Sequence, residues 1–143
     1  MILSFKKRNS GLGLIEFAVS LFILLILLLT AVLYFRQYIR IAMASEGQKL
    51  CSQIATAQGI YFMKYKYYRH VKPWVYNDKR LEVDARMNKH FHTFRVYTYN
   101  FRQTYVIKTF GIGIAKGIMV VYDSDPDKNG KTDSAPEMNV LGI

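Results

Sequence analysis

The sequence predicts an α+β protein in which one long N-terminal helix, half transmembrane and half amphipathic, packs on a small antiparallel sheet. Three observations predict it. An uncharged run of 19 residues separates Glu16 from Arg36. Apolar residues then recur at helical spacing as far as Tyr61. Beyond Thr93, β-branched and aromatic runs alternate with short breaks. The chain accordingly divides into an apolar helix over 12–35, its amphipathic continuation over 36–62, and a head over 63–143 that ends in an acidic loop.

The apolar run comes first. Phe17 to Phe35 carries no charge, and at about 1.5 Å per helical residue it nearly spans the ~30 Å hydrocarbon core of a bilayer. Mean hydropathy near zero therefore averages a greasy segment with a polar remainder. The formal charge of +10 is also uneven. Residues 1–122 hold 18 of the 20 basic side chains and five of the ten acidic ones, so the last 21 residues set five carboxylates against Lys128 and Lys131. An acidic tail on a basic body points to a local role for the acid, such as metal binding.

Past the apolar run, Ile39, Met43, Leu50, Ile54, Ala57 and Tyr61 form a stripe at helical spacing, with Glu46 its one polar occupant. Gln37, Lys49, Ser52, Gln53 and Thr56 fill the other sides. Such a stripe requires a sheet to cover it. A helix from Leu12 to about Phe62 would run roughly 75 Å, far longer than a small globular domain needs.

The head follows. Residues 63–92 show no clean period and read as irregular, with Lys72-Pro73-Trp74 as a breaker. Three strands are expected over 93–101, 104–110 and 117–122, and three antiparallel strands against a helix form a stable minimum.

Enzymatic chemistry is not expected. Cys51 is the only cysteine, so no intrachain disulfide can form, and between Leu50 and Ile54 it reads as a small packing residue. His70, His90 and His92 sit among aromatic and basic residues without a carboxylate-bearing motif. Zinc-ligand spacing, a phosphate-binding glycine loop and a nucleophile elbow are all missing from the sequence.

The N-terminus carries the most specific signal: Lys6-Lys7-Arg8-Asn9-Ser10-Gly11, then Leu12-Gly13-Leu14-Ile15-Glu16, then the apolar run. An ordinary secretory signal has a shorter apolar stretch and a small-residue cleavage site. Ala42-Met43-Ala44 offers such a site, but Arg36 and Arg40 intervene and Glu16 abuts the start. A plain single-pass anchor explains the length and keeps the basic cluster cytoplasmic, yet leaves Glu16 without a reason. The stretch from Gly11 to Glu16 resembles the type IV prepilin signature, a short basic leader with a glycine before the cut and a glutamate fifth after it.

The resemblance implies that residues 1–11 are a cleavable leader, that a prepilin peptidase cuts after Gly11, and that Leu12 becomes the mature, usually N-methylated, first residue. Glycine suits a scissile position because its backbone meets no side-chain clash. Glu16 would then meet the N-terminal amine of a neighbouring subunit, since a carboxylate in hydrocarbon requires a partner. The alternative is a carboxylate at headgroup level near a helix N-terminus, where negative charge is favoured. The chain departs from the family pattern at Leu12 and Gly13, where Phe or Met and then Thr are common. The proline that kinks many pilins is also missing, for the first proline here is Pro73.

Two further patches carry chemistry. In the acidic loop, Asp125, Asp127 and Asn129 fall at the first, third and fifth positions of an EF-hand-like calcium loop, with Gly130 sixth. Lys131 would offer its carbonyl, Asp133 a direct or water-mediated contact, and Asp123 a further carboxylate. The match breaks at the twelfth position, Pro136, with Glu137 one residue late. Some pilins and pseudopilins hold calcium near this end, and a solvated turn explains the same residues. Between Tyr61 and Trp74, extending to Tyr76, aromatics interleave with cations. That mixture suits single-stranded nucleic acid or another acidic surface, and equally suits subunit contacts.

Two functional classes result. The first is a structural subunit of a type IV pilus or type II secretion pseudopilus, resident in the inner membrane before assembly with pilin neighbours into a homo-oligomeric or mixed filament. The second is a singly anchored periplasmic binding module that never assembles. Gly11 and Glu16 discriminate, because the second class has no use for them.

Overall fold

A computed structural model describes residues 10–132 and 135–143, with side chains described from Gly13 onward. The architecture is α+β, as the sequence predicts: a long helix, α1 (Ser10–Tyr65), and a small antiparallel sheet. The chain divides into two units between Tyr38 and Ile39.

In the first unit α1 carries only exposed residues from Gly13 to Tyr38, and its large apolar side chains are 45–74% accessible. No proline interrupts it. The hydroxyls within it return to the helix backbone, with Ser20 Oγ donating to the Glu16 carbonyl (2.8 Å) and Thr30 Oγ1 to that of Leu27 (2.8 Å). A polar side chain satisfied in this way is compatible with hydrocarbon.

In the second unit α1 continues across the sheet. Ala44, Gly47, Leu50, Cys51, Ile54, Gln58 and Tyr61 are its buried face. The expected stripe holds at Leu50, Ile54 and Tyr61, with Met43 and Ala57 half-buried against the same core, and Gln58 is a further buried polar residue beside Ala57. Spacings of three and four select both neighbours at some turns, and the sheet's position decides which is covered. The helix also runs three residues beyond Phe62.

Five strands form the main sheet: β1 (Val71–Val75), β4 (Thr93–Tyr99), β5 (Thr104–Phe110), β6 (Met119–Asp123) and β7 (Glu137–Leu141), in the order β1-β4-β5-β6-β7, every neighbouring pair antiparallel. A small separate ladder pairs β2 (Asn77–Asp78) with β3 (Val83–Asp84). The three expected strands are therefore the centre of a five-stranded sheet, and 63–92 is not irregular throughout. Pro73 lies inside β1 and does not break it. On an edge strand a missing N–H is tolerated, and the register shifts between Val71 and Val75, where Trp74 takes φ 63°. The expected strand end at Phe101 moves back to Tyr99, because Asn100, Phe101 and Arg102 all take positive φ and turn the chain into β5.

Phe94 and Val96 on β4, Ile107 on β5 and Val120 on β6 point at α1 with Phe91 and Ile118. Each such side chain, fully buried, stabilises the fold by about 1.5–3 kcal/mol. At Gly47 the helix packs tightly on the head: a Cβ there would stand 2.8 Å from Phe91 Cε1 and from Val120 Cγ2. The chain end returns to the helix, where Arg40 Nη2 donates to the Gly142 carbonyl (2.6 Å).

Candidate functional site

The proposed processing and assembly residues lie at the start of α1. Gly11 and Leu12 are within the helix, and the basic cluster Lys6 to Arg8 lies outside the described residues. Glu16 follows them on the exposed helix. By length and composition, α1 is the one helix among the described residues able to cross a membrane, and none of its most apolar window is buried against the protein. An apolar surface of this extent requires lipid or other helices to cover it.

Where α1 meets the head, polar side chains join elements far apart in sequence. Glu46 accepts the backbone N–H of His90 at Oε1 (2.9 Å) and faces His90 Nδ1 at Oε2 (2.8 Å). No local motif supplies this carboxylate: the partner of His90 stands 44 residues away in the sequence. Partial burial raises the Glu46 pKa, but the His90 amide and ring, with the Lys89 amide, outweigh it and hold the carboxyl below its usual range. Gln58, fully buried, donates to the Arg69 carbonyl (2.8 Å) and accepts the Arg69 N–H (2.9 Å). That two-way bond satisfies the amide and pins the chain as it leaves the helix. Arg69 in turn reaches the buried Asp78 at 3.1 Å, which also accepts the Arg80 and Leu81 amides.

Cys51 is a packing residue, as its neighbours suggest. It is fully buried, with Sγ 3.6 Å from Thr109 Oγ1, and burial pushes its thiol up to about 12 against the small opposing effect of that contact.

The acidic loop is organised by its own backbone. Asp125, buried, accepts the Asn129 amide at Oδ1 (3.1 Å) and the Gly130 amide at Oδ2 (2.8 Å). Asp123 Oδ1 accepts the Asp125 amide (2.9 Å), and Asn129 Oδ1 accepts that of Lys131 (2.8 Å). Asp127 and Lys131 are exposed, and Asp133 lies outside the described residues. Among the described residues no group of three His, Cys, Asp or Glu side chains stands close enough to hold a metal. A carboxylate offers about four lone-pair positions, so Asp125 keeps acceptor capacity beyond its two amide bonds.

Several rings of the Tyr61–Trp74 segment turn inward. Tyr61 and Tyr68 are buried, Phe62 stacks on Tyr68 (4.6 Å) and Tyr68 packs on Tyr105 (4.5 Å). Tyr65 and Lys64 remain exposed beside a cleft of about 530 Å³ between α1 and residues 80–84. Trp74, at the end of that segment, instead joins Arg95, Tyr97, Lys108 and Phe110, which sequence reading did not single out, on the sheet surface opposite α1. The period-two sequence Arg95, Tyr97, Tyr99 was its available signal. No family model, curated protein or solved structure matches the chain.

Proposed function

We propose that this chain is a type IV pilin-like subunit, made as an inner-membrane prepilin, cut after Gly11 and assembled into a pilus or pseudopilus through α1. The observation that carries the reading is the first half of that helix. From Gly13 to Tyr38 it is exposed on every side and continuous with the head's own packing helix, and Glu16 stands at its start. A membrane anchor needs the apolar length alone. A subunit that leaves the bilayer needs a rigid helix whose apolar surface can exchange lipid for neighbouring helices. Such a subunit also needs a charge that sets their stagger, and Glu16 supplies it. The reading includes no catalytic step.

Mass spectrometry of the mature protein tests processing. The expected chain begins at Leu12, with or without an N-terminal methyl group; an intact Met1 or a start at Ser45 overturns it. Glu16→Ala tests assembly. Removing the charge leaves membrane insertion intact, while filament incorporation falls, because the partner amine loses its counter-charge in a low-dielectric setting. Normal filament yield and subunit stagger in that variant would overturn the assembly role given to Glu16.

A further inference from the structure

We propose that the open face of the five-stranded sheet binds single-stranded nucleic acid, with Arg95 and Lys108 receiving backbone phosphates and Trp74, Tyr97 and Phe110 stacking on bases. The proposal concerns the head alone and holds whether or not the chain assembles.

Strand alternation builds this face. Phe94 and Val96 point toward α1, so Arg95, Tyr97 and Tyr99 point away from it; on β5, Ile107 points in while Lys108 and Phe110 point out. The Arg95 guanidinium lies 5.8 Å from the Trp74 ring centre, 5.4 Å from that of Tyr97 and 5.0 Å from that of Phe110. Its Nη1 donates to the Tyr97 hydroxyl, which orients the group. Lys108 Nζ lies 5.7 Å from the Tyr97 ring, and Trp74 packs on Phe110 at 5.3 Å.

This arrangement is unfavourable by itself. Arg95 and Lys108 are direct cross-strand partners, and like charges placed opposite each other destabilise a sheet. Among the described residues neither makes an ion pair. Rings beneath both cations offset part of the repulsion, and an anion between them would remove the rest. Trp74 is 56% exposed, and Arg95, Tyr97, Lys108 and Phe110 are half-buried around it.

The ligand class follows from the mixture. An acidic peptide brings charge without flat rings, and duplex DNA hides its bases in the stack. A single strand alternates phosphates with unstacked bases, matching cations interleaved with aromatic planes on an open sheet.

Trp74 is the only tryptophan, which makes it the reporter. The full-length chain in neutral detergent micelles is titrated with oligothymidylate while Trp74 emission is followed. The expected result is saturable quenching that weakens as salt rises. Arg95→Ala with Lys108→Ala should weaken binding at least about tenfold and flatten the log–log salt slope by about 1.4, from roughly 0.7 per phosphate contact. Lys64→Ala with Lys66→Ala, away from this face, should change affinity less than about twofold. If the double variant at the sheet fails to fold, photo-crosslinking of the wild-type chain decides: crosslinks must map to peptides containing Trp74, Tyr97 or Phe110. Equal quenching by polygalacturonate or polyglutamate would overturn the proposal in favour of a general polyanion surface. Crosslinks confined to residues 61–68, or no saturable quenching, would also overturn it.

Discussion

Replacing Gly47 with alanine sets two computable effects against each other. In a helix interior the change from glycine gains about 1 kcal/mol of propensity. At this position, however, the added methyl would stand 2.8 Å from both Phe91 Cε1 and Val120 Cγ2, where carbon pairs normally rest at about 3.5–4.0 Å. Phe91 is fully buried and Val120 belongs to a central strand, so neither gives way freely. Overpacking of this kind costs about 1–3 kcal/mol, leaving Gly47→Ala neutral to about 2 kcal/mol destabilising. Gly59, twelve residues along the same helix, is the control, for a Cβ there meets nothing within 4 Å. Gly59→Ala should stabilise by about 1 kcal/mol. The two variants should therefore differ by about 1–3 kcal/mol, or at least roughly 4 °C in thermal midpoint per kcal/mol for a domain of about 100 residues. Thermal unfolding of the full-length chain in detergent, followed by near-ultraviolet circular dichroism, measures both. If Gly47→Ala melts as high as Gly59→Ala, the close packing of α1 on the sheet is refuted.

Acid should loosen the joint between α1 and the head. Because Glu46 is held below its usual pKa of 4.5, it contributes stability that is complete above that value and lost as pH falls through the lower folded-state value. The thermal midpoint of the wild type should drop across that window, and the drop should shrink in Glu46→Gln; equal profiles would remove the carboxylate's role. Cys51, with its thiol raised to about 12, should resist maleimide at pH 7–8 in the folded chain and react as denaturant opens the core. Labelling at equal rates in both states would contradict its burial. For the acidic loop we propose a weak calcium site, with affinity of about 10⁻⁴–10⁻³ M as in extracellular modules. Calcium should raise the thermal midpoint over chelator, magnesium should do so less, and Asp127→Ala should reduce the effect. Identical melting in calcium and chelator would leave the loop a turn held by Asp125.

Local pattern by itself determined the helix and the central strands. Charge-free length marks the apolar half of α1, and period-two alternation marks β4 and β5, because each signal resides in consecutive residues. The N-terminal signature from Gly11 to Glu16 is likewise local, and with the exposed apolar half of α1 it is the source of the assembly reading. Tertiary structure decided the rest. β1 is an extended strand only because β4 supplies its hydrogen bonds, and its edge position excuses Pro73. β7 pairs with β6 although its own five residues carry little strand signal. Glu46 finds His90 across 44 residues, and Arg95 meets Lys108 and Trp74 only when three strands align. Sequence spacing reports which residues share a face of one element; which faces meet depends on the packing of several elements at once, where contacts distant in the chain become neighbours.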